Sequence, residues 1–114
     1  MARRFHILSG HFASFEAAQA YCYDTETIND PEQINLEQPD ASIDADYVEI
    51  GYKDAITHML SDLFDAATAS GLLAVIGSAN TVITIGHTGL LGGDAQLATN
   101  DTLTYLGLFH EVRT

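Results

Sequence analysis

Residues 53–86 read KDAITHMLSDLFDAATASGLLAVIGSANTVITIG, and a change of period inside this stretch decides the fold. In the first part, Ile56, Met59, Leu60, Leu63, Phe64 and Ala67 recur at helical spacing, an apolar stripe wide enough to face a core. Gly71 is a natural stop for such a helix. Residues 81–86 change to a run of β-branched side chains, Thr81, Val82, Ile83, Thr84 and Ile85, which reads as a strand. Residues 72–76 between them fit either a hairpin partner of that strand or a continuation of the helix.

Outward from this stretch the pattern repeats the mixture. Residues 4–12 read as a first strand, with Phe5, Ile7 and Ser9 alternating against His6, Leu8 and Gly10. Ser14 suits a helix N-cap, and Glu16 then lies in the first turn, where the helix dipole favours negative charge. Phe15, Ala18 and Cys22 put a narrow apolar stripe on a short helix that runs to about Tyr23. Residues 47–52 (YVEIGY) fit a strand or the first turns of a helix. A glycine-rich turn at 86–93 precedes a last strand at 103–112. The sum is an α+β chain: a small, largely antiparallel sheet with two or three helices packed on one face, in one domain spanning 1–114.

The charge is the unusual property. Ten acids stand between Asp24 and Asp54 against one base, Lys53, so this segment carries −9 of the chain's net −12. Apolar residues are nevertheless 46% of the chain, which separates it from acidic disordered segments. Residues 24–46 hold both prolines and scattered apolar positions, and read as a long acidic loop with a short extended piece at 34–37. Four lysines and arginines in total cannot build a phosphate-binding footprint, so nucleic acid and anionic membranes are not expected partners. No stretch approaches the length of a membrane span or a signal-peptide core, and the one cysteine leaves no intrachain disulfide, which together suggest a cytoplasmic protein.

Asp40, Asp44, Asp46 and Glu49 invite a calcium reading, but the glycine and terminal glutamate of an EF-hand loop are misplaced. His6, His11, His58, His87 and His110 lack the close spacing of a helical metal motif, so no metal or other cofactor is expected. Cys22 lies on an apolar stripe and reads as a small hydrophobe. GHTGLLGG, at 86–93, lacks the lysine and following helix of a phosphate loop. An enzyme is therefore disfavoured. A recognition surface for a basic protein fits better, because clustered like charge speeds encounter and Tyr47 and Tyr52 flank the acids. The expected face comprises Glu37, Asp40, Asp44, Asp46, Tyr47, Glu49 and Tyr52. The alternative is a passive acidic interaction domain, a homodimer through an exposed strand edge.

With these elements placed, the chain resembles the immunity protein 22 family, small acidic antitoxins encoded beside bacterial polymorphic toxins. The resemblance rests on G-H-F-x-S-F-E-x-A-x-x-Y-x-Y at 10–23, D-A-D-Y-V-E at 44–49, A-N-T-V-I-T-I at 79–85 and L-T-Y-L-G-L-F at 103–109. It implies an inhibitor that binds and neutralises a cognate toxin domain, often a nuclease, whose basic active site an acidic, tyrosine-bearing surface could occupy.

Overall fold

The first strand, β1 (Arg4–Gly10), lies in the middle of the sheet in the computed structural model, which describes residues 3–23, 32–38, 40–91 and 96–111. Antiparallel to it run β4 (Thr81–Gly86) on one side and β6 (Leu103–His110) on the other. β3 (Val48–Tyr52) pairs with the outer side of β4, so the order is β3-β4-β1-β6 and every pair is antiparallel. A separate two-residue pairing joins β2 (Ser42–Ile43) to β5 (Leu90–Leu91).

The class expected from the sequence is the class observed: a small antiparallel sheet with helices. Their placement differs from the expected single face, because both faces are covered. On one face Phe5, Ile7 and Val82 pack against Ile56, Leu60 and Leu63 of α3 (Ala55–Leu63) and against Ala69, Leu72 and Ile76 of α4 (Ala66–Ile76). On the other, Leu8, Ile83, Ile85, Val48 and Leu103 meet Tyr21 and Cys22 of α1 (Phe15–Tyr23) and Ile34 of α2 (Gln33–Glu37). The cause lies in the two central strands. Each alternate set of β1 and β4 includes large apolar side chains, and register stacks Leu8 on Ile83 while Ile7 and Val82 face the opposite way. A strand that is apolar on both sides needs cover on both.

The expected single helix through 53–71 is two. Phe64 breaks the helical path with φ −133° and ψ 160°, and the Asp65 carboxylate then accepts the Thr68 N–H at 2.8 Å as an N-cap. Capping a new helix here turns Ala69, Leu72 and Ile76 inward, while Ala67 is left exposed. Gly71 does not stop the helix; residues 72–76 continue it, and Gly77, at φ +60°, ends it. Replacing Asp65 by Ala should lower the thermal unfolding midpoint by a few degrees, with Asp65→Asn keeping most of the loss away, as read by circular dichroism.

Within the acidic stretch, residues 24–31 and 39 lie outside the described residues. The piece at 34–37 is helical rather than extended, since it belongs to α2. Asn35 clamps it to β2, accepting from the Ile43 N–H at 2.8 Å and donating to the Ile43 carbonyl at 3.1 Å. The ambiguous 47–52 segment is strand from Val48 onward. No helix among the described residues is long and apolar enough to cross a membrane.

Candidate partner-binding face

A single helical turn at residues 45–47 leads into β3, the strand at one edge of the sheet, and four of the seven expected residues lie within 44–49. The Asp44 side chain accepts the Asp46 N–H at 3.0 Å, and its carbonyl accepts the Tyr47 N–H at 3.0 Å. The Asp44 N–H donates to the Gly89 carbonyl at 2.8 Å, tying the turn to the segment after β4. Tyr47 rests on Gly86 and Gly89, yet its residue stays 46% exposed. Asp46 and Glu49 are exposed beside it. Among the described residues, no base lies within ion-pair distance of Asp44, Asp46 or Glu49.

Glu37, Asp40 and Tyr52 are placed elsewhere. The Glu37 carboxylate accepts from the Tyr21 hydroxyl at 2.9 Å and from Gln33 Nε2 at 2.8 Å, which commits it to holding α1 and α2 together. Partial burial works to raise the Glu37 carboxyl, but hydrogen bonds from Gln33, Thr102 and Tyr21 outweigh it and hold the group below the usual range. Asp40 is exposed in the turn before β2, its carbonyl receiving the Gln96 N–H at 2.9 Å. Tyr52 ends β3, roughly 13 Å along the strand from Val48. There its ring lies 5.3 Å from the Lys53 ammonium. Asp44, Asp46, Tyr47 and Glu49 therefore share a surface that Tyr52 does not.

A second cluster, built on two of the five histidines, adjoins this face. His6 is buried in β1; its Nδ1 lies 2.7 Å from the Tyr105 hydroxyl and its Nε2 lies 2.9 Å from His87 Nδ1. Strand register explains the meeting: His6 pairs with Ile85, and His87 is two residues further along the same chain. Burial, helped by His87 and Arg4, lowers His6 to about 4. His87 in turn lines a cavity of about 440 Å³ at this end of the sheet, with Arg3, Arg4 and Phe5 from the start of β1. Asp46, Tyr47 and Glu49 form its other wall.

Among the described residues, no three His, Cys, Asp or Glu side chains are placed to hold a metal ion. Cys22 is buried and its thiol is pushed up to about 12 by that burial, so it carries no thiolate at neutral pH. Comparison with protein-family models, curated proteins and solved structures gives no match to this chain.

The buried histidine sets a pH dependence. Its folded value, about 4, lies below the 6.5 of an unfolded histidine, so unfolding takes up a proton between those limits. The stability gained from keeping His6 neutral is complete above pH 6.5 and is lost as the pH falls towards 4. After allowance for solvent screening, the loss should be about 1–2 kcal/mol. Urea unfolding at pH 7 and pH 4.5 should show a smaller drop for His6→Phe than for the wild type. Equal drops would show that His6 does not titrate on unfolding.

Proposed function

We propose that the protein is an inhibitor of the immunity type, which binds and neutralises a basic toxin domain through the surface formed by Asp44, Asp46, Tyr47 and Glu49. The observation that carries this reading is a sheet edge with Asp46 and Glu49 exposed and Asp44 half-exposed around a tyrosine seated on two glycines, with no base in ion-pair contact with them among the described residues. Carboxylates left unpaired at a surface gain little for folding, but they steer a positively charged partner and bind where it would hold phosphate. The hydrogen bonds among Asp44, Asp46 and Gly89 fix the turn beforehand, so less ordering is lost on binding. The resemblance of 10–23, 44–49, 79–85 and 103–109 to immunity proteins points the same way. In this reading the protein is no enzyme, needs no cofactor, and acts in the cytoplasm of the cell that makes the toxin.

The test is rescue of growth. Cells expressing the variable C-terminal domain of the toxin encoded beside this gene should stop growing, and co-expression of this chain should restore them. Absence of such a neighbouring gene, or failure to rescue while the chain is present and folded, would contradict the proposal.

A further inference from the structure

We infer that the cavity at this end of the sheet is a ligand site, taking a small molecule through a carboxylate or phosphate group held by Arg4 and His87, with His6 and Tyr105 as positioning residues. This goes beyond the partner reading and rests on the opposite wall of the cavity. The chain has four lysines and arginines, and two of them, Arg3 and Arg4, line this one space. Arg3 is bound to Glu111 by contacts of 2.6 and 2.9 Å. Arg4 is exposed, and among the described residues no carboxylate pairs with it. In a molecule of net charge −12, an oxyanion is repelled almost everywhere, so a site for one needs such a local cation.

His87 supplies the second donor. Its Nδ1 is engaged by His6, whose other ring nitrogen is engaged by Tyr105, which leaves Nε2 as the ring nitrogen open to the cavity. When the Tyr105 hydroxyl donates to His6 Nδ1, His6 Nε2–H donates to His87 Nδ1, and His87 then carries its proton on Nε2. In that arrangement the chain presents an N–H on a residue that lines the same cavity as Arg4, the form that an oxyanion selects. Asp46 and Glu49 across the cavity oppose a second negative charge and favour a ligand whose remainder is cationic. The volume, about 440 Å³, suits a molecule of amino-acid size.

The experiment is a titration of the full chain with acetate, inorganic phosphate and glycine, each followed through the histidine ring signals by NMR. At least one should move the His87 signals saturably, with acetate against phosphate deciding which oxyanion is read and glycine binding more tightly than acetate. Arg4→Gln should weaken the effect about tenfold or more. His6→Phe should change the His87 nitrogen shifts that report its tautomer, a signature that loss of packing alone would not produce. No saturable shift with any of the three up to roughly 50 mM, or a shift unaffected by Arg4→Gln, would overturn the inference.

Discussion

Replacing Asp46 and Glu49 together by lysine is expected to slow association with the proposed basic partner by roughly ten- to a hundredfold at low salt. Both side chains are exposed, and neither has a basic partner among the described residues, so folding should hardly change. Each reversal shifts the charge by two, taking −12 to −8. The same overall change made with Asp62→Lys and Asp101→Lys, both exposed, is the control. If the effect belongs to the surface rather than to the total charge, the control pair should leave the association rate near that of the wild type. The difference between the pairs should shrink as salt screens the field. Asp44 is left out of the variant because its carboxylate caps the turn through the Asp46 N–H, so reversing it would alter structure and charge at once.

Gly89→Ala should destabilise the protein by about 2–3 kcal/mol and dislodge Tyr47. A Cβ on Gly89 would come 2.4 Å from Tyr47 Cβ and 2.7 Å from its Cγ. The Tyr47 Cβ is fixed by the backbone of the turn, so rotating the side chain does not remove the clash. The same turn holds the Asp44 N–H against the Gly89 carbonyl, and that bond would be strained with it. Gly51 is a useful contrast, since its nearest neighbour would be Met59 Cε at 2.7 Å, the end of a flexible side chain that can move aside. Urea unfolding of both alanine variants should show the larger loss at Gly89. A Gly89→Ala protein as stable as the wild type would mean that Tyr47 is not seated there.

What local pattern encodes was legible. Ser14 does cap α1, accepting the Ala17 N–H at 3.0 Å, and the strand signals of β1, β4 and β6 hold to within two residues where they are described. The two-helix break at Phe64–Asp65 was not legible, because an aspartate facing solvent in a helix and one capping the next helix look alike until the second face of apolar residues is counted. The covering of both sheet faces follows from the adjacent apolar pairs Ile7–Leu8 in β1 and Val82–Ile83 in β4, which point to opposite faces of the sheet. The candidate face was half legible. Asp44 to Glu49 stay together because they are neighbours in sequence. Glu37 is drawn off by Tyr21, 16 residues away, and His6 meets His87 across 81 residues, contacts that no spacing within one segment shows.

In the proposed complex the edge formed by residues 44–49 touches the toxin domain. Among the described residues β3 is paired on one side only, by β4, so part of its backbone is open to exchange with solvent. Hydrogen–deuterium exchange of the protein alone and with the proposed toxin partner should show slowed exchange at 44–50 and at 86–89, with α4 unchanged. Formation of a complex with no protection at 44–50, or with protection confined to α4, would contradict the account.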